Sequence, residues 1–360
     1  MDPGLERLMR FGQIPRPLTL GFFSMLLVGC AQPAPWLETS PSVTTAPSFS
    51  SSTSPLETAV QPVPQNQSPG LDGSANTIAF GARIGSPVVQ PNGTVLFDND
   101  IFTVGVDGTN LRRLTSSGGG KASYSWSPDG ERIVFRWDPT GTDWNRSDIA
   151  IVTVADHKVT TLAHEAWSPA WSPLGDWIAY YSAAAQDFGL YLIRPDGSDN
   201  HQILAGDAEY PTWSPDGRRL AFMSLGFPAG SSSAAYEIYV VDVDGGNLQR
   251  LTIVEGEDGW PAWSHDGTRI AYQRMVSDEA KSEIHVMGAD GQDDRLITDP
   301  NDDLEEYTPA WSPNDRYLAY YAYPKTDSST AAGGIFVMLP DGSGRLLIRS
   351  DGYEPAWRPT

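Results

Sequence analysis

The chain has 360 residues, with 24 lysines and arginines against 45 aspartates and glutamates, a formal charge of −21, 35 glycines, 29 prolines and one cysteine. A balance this acidic excludes nucleic acid and anionic lipid headgroups as partners, because binding phosphates needs a basic patch. A lone cysteine excludes an intramolecular disulfide framework, and glycine and proline at this density exclude a helical repeat.

The first 30 residues carry Arg7, Arg10 and Arg16, then an apolar run from Leu18 to Gly29, then Cys30. A run this short is a signal-peptide core, since a membrane-spanning helix needs roughly 20 apolar residues. Leu27-Val28-Gly29-Cys30 resembles the lipobox of bacterial lipoproteins. That resemblance implies a signal peptide over 1–29 and lipid attachment at Cys30, the mature N-terminus. The protein is then expected on the extracytoplasmic face of a cell membrane, periplasmic or at the cell surface. Residues 30–76 add proline, serine and threonine in quantity with few apolar side chains. Such a stretch buries too little to offset its chain entropy and is expected to act as a disordered tether, with an r.m.s. reach of roughly 35 to 40 Å.

From residue 77 onward a phrase repeats. Pro-Ala-Trp-Ser-Pro-Asp-Gly followed by Ile-Ala-Tyr/Phe recurs with its tryptophan at Trp126, Trp171, Trp213, Trp263, Trp311 and Trp357, at intervals of 45, 42, 50, 48 and 46 residues. Self-similarity at this period marks units that cover one another's apolar faces. Each unit reads as extended runs separated by turns, as in Tyr210 to Ser214, Arg219 to Met223, Glu237 to Asp242 and Leu248 to Thr252. Ser-Pro-Asp-Gly predicts a tight turn between the first two strands, with proline presetting φ and glycine accepting positive φ. Asp-Gly pairs such as Asp196-Gly197 and Asp244-Gly245 predict the turn between the third and fourth. Four antiparallel strands repeated radially describe a β-propeller blade, and the fold class predicted is all-β.

The ends of the repeat region predict the blade number. Thr77 to Phe80, Asp100 to Val106 and Leu111 to Thr115 supply second, third and fourth strands with no first, whereas Glu354 to Pro359 supplies a first strand with none behind it. Pairing the two completes one blade and gives a six-bladed propeller over 77–360, closed by the C-terminal strand against the N-terminal blade. The residues resemble the TolB-like propeller repeats, which also occur in the propeller halves of prolyl oligopeptidase-type peptidases. Leu174 replaces the turn aspartate, His265 the turn proline, and Asn314-Asp315 lacks the glycine.

No catalytic constellation is visible: there is no Gly-x-Ser-x-Gly elbow, and the hydrolase domain of the peptidase relatives is not expected. The histidines at 157, 164, 201, 265 and 285 never fall at a metal-ligand spacing. No metal or other cofactor is expected. The oligogalacturonate lyases, which are related propellers, keep a metal-assisted polysaccharide lyase or hydrolase as the alternative. The blade tryptophans are expected to pack between blades, since large aromatics dominate cores.

The candidate partner-binding positions are in the loops that enter each first strand, taken to ring the channel mouth. They are Trp167, Glu209, Tyr210, Trp260, Glu306, Tyr307, Tyr353 and Glu354. Aromatics and carboxylates converging there suit a cationic or amphipathic peptide, or a sugar stacked on a ring. The function expected is a non-catalytic binding or scaffold module, monomeric, for a protein, peptide or glycan partner in the cell envelope.

Overall fold

The computed structural model describes residues 77–360 apart from 90–94, 141–146, 185–186, 228–234, 254–255, 277–280 and 326–332. The signal peptide, Cys30 and the tether lie outside the described residues.

Strands β1 to β24 follow in chain order and form six four-stranded sheets, all paired antiparallel. In one of them β12 (Glu209–Trp213), β13 (Arg219–Ser224), β14 (Glu237–Asp242) and β15 (Gln249–Arg250) lie side by side in that order. The expected closure is present: β24 (Gly352–Trp357) pairs with β1 (Thr77–Val89), and β2 (Val95–Gly105) and β3 (Arg112–Arg113) complete that blade.

The turns form as their residues dictate. The amide of Gly217 donates to Ser214 O at 2.9 Å, Gly217 has φ +69°, and Ser214 Oγ donates to Asp216 at 2.6 Å. The same turn closes at Ser127–Gly130, Ser172–Gly175 and Ser264–Gly267, and also at Ser312–Asp315, where an aspartate takes the left-handed conformation.

The core consists of seams between blades. Among the described residues six apolar clusters are present, each drawing its side chains from two neighbouring blades. Trp213 packs on Ala170, Ala179, Leu190 and Leu192 of the preceding blade, and Trp311 packs on Ala271, Ile284 and Val286. The Ile-Ala-Tyr pattern explains the fit. Side chains alternate across a strand; the small residue faces the next blade's tryptophan, as Ala79 does Trp126, Ala221 Trp263 and Ala319 Trp357, and the flanking large residues fill the opposite seam.

Two kinds of further contact tie the tryptophans down. The indole N–H of Trp126, Trp213, Trp311 and Trp357 donates at 3.0 to 3.1 Å to a carbonyl on the preceding blade (Ala356, Ala170, Ala262 and Ala310), whereas Trp171 and Trp263 reach only their own turns. Arg132, Arg219, Arg269 and Arg358 lie over the rings of Trp171, Trp263, Trp311 and Trp126, at 4.4 to 5.6 Å from the centroid. Cation–π contacts of this kind contribute about 0.5 to 2 kcal/mol each. The tryptophans therefore serve the architecture.

Candidate functional site

The innermost strands are β4 (Gly120–Trp126), β8 (Ala166–Trp171), β12, β16 (Glu257–Trp263), β20 (Leu304–Trp311) and β24. Each breaks register with its second strand just before the tryptophan. Five of them carry proline there, Pro169, Pro211, Pro261, Pro309 and Pro355, which has no N–H to give to the ladder and is confined to edges and bulges. The bulge places the residue three before each tryptophan in the left-handed region. Ser123, Ser168, Tyr210, Trp260, Thr308 and Glu354 have φ between +46° and +54°. For non-glycine residues this conformation is strained, and most of all for β-branched Thr308.

These six side chains face the axis. They form the floor of a funnel-shaped cavity of about 470 Å³ whose wall continues through the tryptophans to the Ser-Pro turns at Pro128, Pro173 and Pro215 and to Pro359. His265 stands in the wall where other turns have proline. No wall residue precedes the six in its strand, so the funnel occupies the turn side of the ring.

Around the floor the order is Tyr210, Trp260, Thr308, Glu354, Ser123 and Ser168, one from each blade in sequence. The Tyr210 and Trp260 rings lie 4.9 Å apart, centroid to centroid. Glu354 Oε2 accepts the Ser123 N–H at 2.6 Å. Burial pushes the Glu354 carboxyl above its usual range, opposed by that amide and by the charge of Arg136. Burial raises the Tyr210 hydroxyl as well.

Of the eight sequence candidates, Tyr210, Trp260 and Glu354 meet at this floor, and the other five lie outside the cavity wall. Trp167 is 4% exposed, beneath the Arg136 guanidinium at 4.6 Å and beside Tyr181. Glu209 is buried; burial and neighbouring Asp207 push its carboxyl up to about 8. Glu306 is 0% exposed, its carboxyl oxygens have no hydrogen-bond partner among the described residues, Arg345 Nη1 is 3.9 Å away, and burial pushes its carboxyl up to about 9. Tyr307 is buried and stacks on Tyr321 and Tyr323 at 5.2 and 4.9 Å, while the Tyr353 hydroxyl contacts Asn99.

The reason for the division is geometric: the bulge turns the side chain three before the tryptophan toward the axis, while the residue before it enters a seam. Gly259 shows how tight the seam is, since a Cβ there would meet Met223 Sδ at 2.9 Å. Ser123, Ser168 and Thr308 also belong to the floor, and their small hydroxyl side chains carry none of the aromatic or acidic character that marks the other three. The common offset from the tryptophan was the usable signal. Gln273 was also missed: it is 0% exposed, and neither its amide oxygen nor nitrogen has a hydrogen-bond partner among the described residues. Among the described residues no group of three or more His, Cys, Asp or Glu side chains is placed to hold a metal ion.

Residues 153–280 match the family model described as the TolB beta propeller domain. A protein TolB homolog of Chlorobium luteolum is 30% identical over 132 residues, covering 36% of this chain and 29% of the relative. A Tol-Pal system protein TolB of Gluconobacter oxydans is 34% identical over 88 residues, 24% of this chain and 19% of the relative. The chain spans less than half the length of the curated relatives it matches. Among solved structures, TolB from Acinetobacter baumannii superposes with a TM-score of 0.63 at 20% identity, covering 79% of this chain and 67% of that one. The tricorn protease gives 0.56 at 17% identity over 77% of this chain and 26% of that one, a likeness of fold. The chain therefore carries a TolB-like β-propeller.

Proposed function

We propose that this chain is a membrane-tethered, extracytoplasmic propeller that acts as a non-catalytic binding module for a protein, peptide or glycan partner in the cell envelope. The observation that carries the reading is the axial floor. Six non-glycine residues are held in a strained conformation at one level, and they aim two aromatic rings and a carboxylate into a single cavity. Strain that recurs at one level of a cavity wall is a mark of function, since each left-handed residue costs about 1 to 2 kcal/mol. A volume of about 470 Å³ is within the range of ligand sites. That a similar chain is named as a Tol-Pal system protein supports the envelope as the setting. Cys30, behind an apolar run and ahead of the Pro/Ser/Thr-rich stretch, supports the tether.

A photo-activated crosslinker installed at Ser168, on the cavity floor, tests the reading in intact cells. Capture of a discrete envelope component is expected, together with loss of the protein from the membrane fraction in Cys30→Ser. Crosslinking confined to cytoplasmic proteins, or full membrane retention of Cys30→Ser, contradicts it.

A further inference from the structure

The floor is chemically lopsided. The arc from Tyr210 through Trp260 and Thr308 to Glu354 carries all the aromatic and acidic character, while Ser123 and Ser168 complete the ring with small hydroxyls. Around the whole funnel the wall is rich in proline: nine prolines and the blade tryptophans line it, with Ser125, Ser172, Thr212, Ser264 and His265 between them. Glu354 is the one carboxylate in the wall, and its Oε2 accepts the Ser123 N–H. Arg136, the cation that acts on it electrostatically, is outside the wall and over Trp167. At the funnel's rim stand Asp129, Asp216 and Asp266, in the same turns as the wall residues Pro128, Pro215 and His265. Serine hydroxyls and backbone amides hold these three carboxyls below the usual range, so the rim keeps its negative charge.

A ligand complementary to this shape has an apolar stem and a cationic tip. We infer that the funnel takes the side chain of a lysine presented by a partner peptide, its ammonium held between Glu354 and the faces of Tyr210 and Trp260, its alkyl stem against the proline wall. Two aromatic faces and a carboxylate are the elements of an ammonium cage, in which cation–π attraction and a charge-assisted hydrogen bond act together away from water. The chain's charge of −21 favours the approach of a basic partner. The inference rests on the binding-module reading and adds to it the chemistry of the ligand and the turn side as its route of entry.

Titration of the full chain with N-acetylated, C-amidated Gly-Pro-Lys-Pro-Gly, followed by calorimetry, provides the test. Its twin with norleucine for lysine is the neutral control, and cadaverine is the free-amine control. Binding of the lysine peptide is expected, weaker by about tenfold or more for the norleucine twin and for Glu354→Gln, and by a similar factor for Trp260→Ala. Trp260→Phe, which keeps an aromatic face, is expected to retain most of the affinity, and far-UV circular dichroism establishes that each variant is folded. No binding of the lysine peptide, equal binding of the norleucine twin, or indifference to Glu354→Gln overturns the inference. Cadaverine binding as tightly as the peptide assigns the funnel to free amines and overturns it too. Envelope crosslinking at Ser168 that persists when the lysine probe fails leaves the binding module standing without its lysine.

Discussion

Asp315 caps the neighbouring blade's turn at His265. Its carboxylate accepts the His265 N–H at 2.8 Å and the Asp266 N–H at 2.7 Å, with His265 Nδ1 3.2 Å away. The two residues are the departures of adjacent turns: histidine where proline is usual brings an N–H that proline lacks, and aspartate where glycine is usual supplies its acceptor, at φ +55°. Each departure accounts for the other.

A double-mutant cycle follows from this pairing. Asp315→Gly relieves the left-handed strain but removes the cap, so its net effect in the native background is small. In a His265→Pro background there is one fewer N–H to strand, and the same change is expected to gain about 1 kcal/mol more in urea unfolding. Strict additivity of the two substitutions contradicts the pairing.

The blade tryptophans differ in what their N–H groups reach. Trp213 donates to Ala170 O across a seam at 3.0 Å, and Trp263 to its own turn at Gly267 O. Trp213→Phe leaves an unpaired carbonyl inside the protein, so it is expected to cost about 1 kcal/mol more than Trp263→Phe. Chemical denaturation of the two variants measures the difference, and equal losses contradict it.

Glu306 gives the protein a pH dependence with a definite sign. Its carboxyl is pushed up to about 9 in the folded state, by burial first and by Asp302 next, against Lys281 and Arg345. Between the unfolded value, near 4.5, and 9, the folded state holds a proton that the unfolded state has released. Stability from this group is thus complete below about pH 4.5 and is lost as pH rises, by at most about 1.4 kcal/mol per unit. Glu306→Gln is expected to match the native protein near pH 4.5 and to exceed it at pH 8. Parallel melting-temperature profiles across that range contradict the assignment.

Much of the fold was legible because its punctuation is local. Ser-Pro-Asp-Gly forms its turn from its own residues, Ile-Ala-Tyr sorts its side chains by alternation, and Trp357, with no strand behind it, announces the closure that β24 makes on β1. The site was legible only in part. A proline two before a strand tryptophan signals an interrupted ladder, but Ser, Tyr, Trp, Thr and Glu all occupy the left-handed position, so no residue type marks it. The neighbouring candidates Trp167, Glu209, Glu306 and Tyr307 are buried in seams, because a register shift of one residue decides between axis and seam, and composition does not encode that shift. The link between His265 and Asp315 spans 50 residues and needs the ring to bring the two turns together.

The central claim is that the axial floor holds the partner. Trp260→Ala combined with Glu354→Ala removes one face of the aromatic pair and the wall's one carboxylate while leaving every blade tryptophan in place. Crosslinked capture from intact cells is predicted to fall at least about tenfold in this double variant, with its unfolding still cooperative. Capture at the native level by a folded double variant contradicts the account.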